Sequence, residues 1–186
     1  MRSHRALCSS VLISLLVLVA SQGRSIAHAE WAGLPATSDA CSLLTTAEVS
    51  TALEIKSLPG KFAIAGSPKA CVWSDTPEAS PDSRRVTLSI TSSTVAFNNM
   101  KSSPRITVEP ASGIGDEAFY ALPSAHETPI LQIRKGTSVL ALRILNGLKS
   151  KPFALADVKT KEASLGKAAA GRFQAFNARY RQMPVR

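Results

Sequence analysis

The sequence predicts an α+β domain: a mostly antiparallel sheet of five to seven strands, packed by a short N-terminal helix and a long C-terminal helix, with one disulfide. Three stretches carry this expectation. Arg85-Val86-Thr87-Leu88-Ser89-Ile90-Thr91 places apolar side chains at every second position and polar ones between them, the pattern of a strand with one dry and one wet face. Residues 129–134 and 137–145 are two β-prone runs flanking Lys135-Gly136, a glycine turn of the kind that closes hairpins. In residues 157–181, Leu165, Ala169, Phe173, Phe176 and Tyr180 fall within an arc of roughly 80° at about 100° per residue, which makes one apolar face of a long helix.

The remaining elements follow in chain order. Thr45 and Glu48 stand three apart, as in a capping box, and Leu44 and Val49 occupy the positions of a hydrophobic staple. A helix over Thr46–Leu53 with Val49, Ala52 and Leu53 on its inner face is expected, ending before Pro59-Gly60. Residues 61–65 read as a strand broken by Gly66-Ser67-Pro68, and Cys71-Val72-Trp73-Ser74 as another. Residues 93–101 read as a short helix anchored by Val95, Phe97 and Met100, and Ile106-Thr107-Val108 as a brief strand stopped by Pro110. The run 137–145 is apolar at both parities, so it is expected at the centre of the sheet, covered on both faces.

The N-terminus has the composition of a targeting segment. Arg2, His4 and Arg5 precede an apolar run over 7–20, and Ala27-His28-Ala29 supplies the small-x-small pattern of a cleavage site. Residues 1–29 therefore read as a cleaved signal peptide, 30–38 as a flexible leader, 39–182 as a single domain and 183–186 as a tail. The location expected is exported, periplasmic or secreted. Hydrophobic content of 45% and charged content of 19% are those of a folded chain. Removing Arg2, Arg5 and Arg24 from the 22 basic residues leaves 19 against 13 acidic ones, a formal +6. That charge suits solubility or weak contact with an anionic surface. No recognition motif points to nucleic acid, and a monomer is expected.

After cleavage only Cys41 and Cys71 remain. In an oxidising compartment they read as one disulfide closing a loop of about 30 residues, worth roughly 3.5 kcal/mol on the chain-entropy account. A metal pair would need nearby histidine, and a thioredoxin-like pair would need Cys-x-x-Cys.

Few residues are candidates for chemistry. Gly113-Ile114-Gly115-Asp116-Glu117 lacks the third glycine of a dinucleotide loop and reads as a tight turn feeding a strand. Asp116 and Glu117 are neighbours, so on a strand they point apart and do not form an acid–base pair. His126 is the one histidine left after cleavage, in a loop beside Glu127. No serine lies in Gly-x-Ser-x-Gly. No catalytic residue, metal or cofactor is therefore expected. Lys161, Arg172 and Arg179 line one edge of the apolar arc of the last helix, either as a solvated flank or as an edge for an anionic partner.

Cys41-Ser42-Leu43-Leu44-Thr45-Thr46-Ala47-Glu48-Val49, Cys71-Val72-Trp73 and Gly113-Ile114-Gly115-Asp116-Glu117-Ala118 together resemble a family of small exported bacterial proteins of unknown function, often lipid-anchored. The resemblance spans most of 39–145. The family is similar in layout to extracellular sensor domains of bacterial receptor kinases. It implies a curved antiparallel sheet packed by helices, with a groove for a ligand, and no activity. Unlike many members, this chain has no lipid-acceptor cysteine at the cleavage site. The expected function is a non-catalytic exported binding or accessory protein, recognising a small ligand or envelope component. The alternative is an envelope hydrolase using a serine with His126. The sheet face and the loops 76–83 and 123–129 are the expected places for a functional surface.

Overall fold

The computed structural model describes residues 39–78, 80–123, 128–148 and 150–181, with side chains of the last helix described as far as Phe173. The segments 1–29, 30–38 and 183–186, together with His126, lie outside the described residues. A 3-10 turn at Ala40–Leu43 leads into α1 (Thr46–Leu53). Then come β1 (Lys61–Ile64), β2 (Ser67–Ser74), β3 (Arg85–Thr91), α2 (Val95–Lys101), β4 (Thr107–Pro110), β5 (Glu117–Leu122), β6 (Ile130–Lys135), β7 (Ser138–Leu145) and α3 (Leu155–Arg181).

The seven strands form one sheet in the order β1-β2-β3-β7-β6-β5-β4, and every neighbouring pair is antiparallel. Two meanders, β1-β2-β3 and β4-β5-β6-β7, are joined where β3 lies against β7 from Arg85↔Leu145 to Thr91↔Val139. The expected α+β architecture is thus present, with both predicted helices packed on the sheet.

One face carries the main core. Cys71 and Trp73 of β2, Val86, Leu88 and Ile90 of β3, Leu140, Leu142 and Ile144 of β7, and Leu131 and Ile133 of β6 are buried there. Val49 and Leu53 of α1 and Val158, Leu165, Ala169 and Phe173 of α3 cover it. The alternation predicted for β3 holds: its even-numbered residues are buried and the residues between them are not. Gly166 lets α3 come close, since a Cβ there would stand 2.6 Å from Leu131 Cδ2.

The other face has a smaller core under α2. Phe97 meets Phe119 with ring centroids 4.7 Å apart, over Ala121 and Val139. This corrects the expectation for β7. The strand is central, but its second face is covered only near Val139, while Ala141, Arg143 and Leu145 remain half-buried. The physical reason is length: the seven-residue α2 is too short to shield the whole strand. Val95, expected as an anchor, is exposed.

The strand break expected at Gly66-Ser67-Pro68 is present, but β2 begins at Ser67, earlier than the expected Cys71. Residues 65 and 66 form the tight turn between β1 and β2, with Gly66 at φ 76°, where an L side chain is disfavoured. Pro68 is tolerated because the β1–β2 register is irregular there and β3 pairs only from Ala70 onward.

The Cys41–Cys71 disulfide is formed, with Cα atoms 5.1 Å apart. It ties the 3-10 turn to β2 ahead of α1. Cys71 is buried against the sheet, so the crosslink sits inside the core cluster. The expected effect of Cys41→Ala/Cys71→Ala is a loss of about 2–4 kcal/mol in denaturant unfolding. An unchanged midpoint would show that the loop between them needs no covalent tether.

Candidate functional site

The local chemistry of α1 places the site. Thr45 accepts a hydrogen bond from the Glu48 backbone N–H, and Glu48 accepts from the Thr45 backbone N–H at 2.8 Å, so the predicted capping box is complete. The Glu48 carboxylate has a second role. Arg172 of α3 grips it with both terminal nitrogens, at 2.8 and 2.7 Å, and also donates to the Leu43 carbonyl. That guanidinium, with the Thr45 donors assisting against partial burial, holds Glu48 down at about 2. At the other end of α1, Lys161 pairs with Glu54 at 2.6 Å and lies 4.6 Å from the centre of the Phe153 ring. Arg84 stacks on the same ring at 4.5 Å and donates to the Leu53 carbonyl in the last turn of α1.

The edge residues singled out in the sequence are therefore partly accounted for. Lys161 and Arg172 face α1 and make its two ion pairs. The Arg179 side chain lies outside the described residues. The pairing 48–172 and 54–161 also shows that α1 runs antiparallel to α3.

Between these two ion pairs the helices part. A groove of about 460 Å³ runs between them, with Ala47, Thr51 and Ala52 on the α1 side and Thr160, Ser164, Leu165 and Ala168 on the α3 side. Its depth has a simple cause: most of these side chains are too small for the helices to fill the gap. Glu48 and Lys161 line its two ends, and the uncharged polar groups between them are hydroxyls. Thr51 and Thr160 each donate to the carbonyl four residues back, at 3.0 and 2.9 Å, leaving their oxygens as acceptors. The ridge of Thr160 and Ser164 also borders a second hollow, of about 490 Å³, with Tyr120, Lys159, Ala163 and Lys167. Tyr120 donates to the Lys159 carbonyl at 2.7 Å, and burial pushes its phenol up to about 12.

Residues 116 and 117 act separately. Asp116 takes the Lys135 ammonium and the Gly136 N–H, both at 2.7 Å, and so fastens the β6–β7 turn. Glu117 pairs with Lys101 and Arg134. Cationic and N–H partners hold both carboxyls below their usual range. Gly113 and Gly115 both adopt positive φ, consistent with a tight turn into β5. Among the described residues no three His, Cys, Asp or Glu side chains converge as a metal site. Also among them, no helix is long and apolar enough to cross a membrane.

Glu162 is the residue that sequence reasoning passed over. It is fully buried in α3; its Oε1 accepts from the Ile144 N–H at 2.8 Å, and its Oε2 has no hydrogen-bond partner among the described residues. The pairing with β6 reaches only as far as Leu142 on β7, so this carboxyl serves an amide beyond the paired stretch. A signal was present: at about 100° per residue Glu162 stands roughly 60° from Leu165, inside the apolar arc. Burial is the main cause that drives its carboxyl up to about 8, against smaller opposing effects of the Ile144 N–H and Arg143.

A raised carboxyl means that the folded state holds the proton more tightly than the unfolded chain. The associated stability is complete below the ordinary value near 4.5 and is lost as pH rises through about 8. The melting temperature is thus expected to fall across this interval, with a shallower fall in Glu162→Gln. Thermal unfolding of both proteins over a pH series measures it, and parallel profiles would exclude Glu162 as the source.

Comparison of the chain with protein-family models, with curated proteins and with solved structures finds no match.

Proposed function

We propose that the chain is an exported, non-catalytic binding module that holds a small ligand between α1 and α3. The carrying observation is the groove itself. Its volume of about 460 Å³ falls within the roughly 300–1,000 Å³ range of small-molecule sites. Ala52, Leu165 and Ala168 offer apolar surface, and Thr51, Thr160 and Ser164 offer a few hydroxyls to orient a guest. The ion pairs Glu48–Arg172 and Glu54–Lys161 brace the two walls and neutralise the charges near the groove.

Export is supported by the N-terminal composition and agrees with a disulfide, a crosslink favoured in oxidising compartments. The resemblance of the three sequence segments to small exported bacterial proteins points the same way. His126, on which the serine alternative depends, lies outside the described residues.

Native mass spectrometry of the exported protein tests the proposal. Wild type is expected to carry a co-purifying small molecule. Thr51→Trp, at an exposed wall position, is expected to lose it while keeping the circular dichroism of the folded domain. A wild type that carries nothing, or a variant that carries the same molecule at the same occupancy, would overturn the reading.

A further inference from the structure

The two hollows on α3 differ in character and share a border. The groove toward α1 is mainly apolar, and the charges at its ends cancel in pairs. The hollow across the Thr160–Ser164 ridge contains two lysines. Lys159 is committed to Glu109 and lies 5.7 Å from the centre of the Tyr120 ring. Lys167 is exposed, and no carboxylate among the described residues pairs with it. Ser164 lies three residues before Lys167, so the two are surface neighbours on the helix. Its hydroxyl makes no hydrogen bond within the described residues and is available to donate, unlike those of Thr51 and Thr160.

We propose, building on the binding reading above, that the ligand is a single-chain fatty acid whose tail lies between α1 and α3 and whose carboxylate meets Lys167 and Ser164. The apolar groove removes methylenes from water without burying an unpaired protein charge there. One uncommitted ammonium beside one hydroxyl matches the single charge of a carboxylate. A phosphate monoester would bring a second charge with no partner. Because the ridge between the hollows consists of Thr160 and Ser164, the chain crosses from tail site to head site over short side chains.

Calorimetric titration of the folded protein with a series from octanoate to palmitate, paired with the corresponding fatty alcohols, tests the assignment. Affinity for the acids should rise about fourfold per added methylene until the groove is full, the equivalent of the usual burial energy of one CH₂. Lys167→Glu, a change at an exposed position, should weaken acid binding about tenfold and leave alcohol binding unchanged. Thr51→Trp should abolish both. Wild type that binds neither acids nor alcohols overturns the fatty-acid assignment, and so does Lys167→Glu that binds acids as wild type does. If wild type fails to bind fatty acids while Thr51→Trp still displaces a different co-purified molecule, the ligand class is wrong and the binding reading stands. If neither protein binds or carries anything, both fall.

Discussion

The pairing of β3 with β7 is the constraint on which the rest of the structure depends. It joins residues far apart in sequence, from Arg85↔Leu145 to Thr91↔Val139, and turns two short meanders into one seven-stranded sheet. Its register sets Val86, Leu88 and Ile90 beside Leu140, Leu142 and Ile144 on one face. A slip of one residue would send one set to the wrong side. With the register in place, a continuous apolar surface needs cover, and α1 and α3 supply it from opposite ends of the chain. The disulfide then acts on a shorter range, holding the approach to α1 on β2.

Charge is arranged around that cover. Where α1 and α3 meet, the contact is fastened at its two ends by ion pairs and left open between them by small side chains. Glu48 caps its own helix and receives Arg172, so a local folding signal and a tertiary contact share one carboxylate. Glu162 follows a different logic. It lies inside the apolar face of α3 and serves a strand amide, the Ile144 N–H, at the margin of the sheet. A buried carboxyl with one idle oxygen is expensive when ionised, so it is favoured in its neutral form. The same helix thus meets the sheet through a proton-sensitive carboxyl on one side and lines the proposed ligand groove on another.

Much of the fold was legible because its signals are local. The period-two alternation of 85–91, the capping box of Thr45 and Glu48, and the glycine turn at 136 each depend on a few neighbouring residues, and each stands in the structure as expected. The break at Gly66 was legible, but the next strand begins at Ser67 rather than at the expected Cys71, because an irregular register accommodates Pro68. The candidate site was barely legible. The groove is made of alanines, threonines and a serine, residue types that carry no motif, and it exists only where two distant helices fail to fill the space between them. Lys161 and Arg172 lie along the edge of α3 that meets α1, a partner the sequence did not indicate.

By itself the sequence determined which residues alternate, where helices begin and turn, and which face of the last helix is apolar. These follow from backbone sterics, side-chain periodicity and the chemistry of caps and turns, which act over a few residues. The tertiary structure alone decided the strand order, the partner of each charged side chain and the presence of a groove. Those depend on which surfaces meet, and no local pattern encodes the distance between segments as far apart as Glu48 and Arg172.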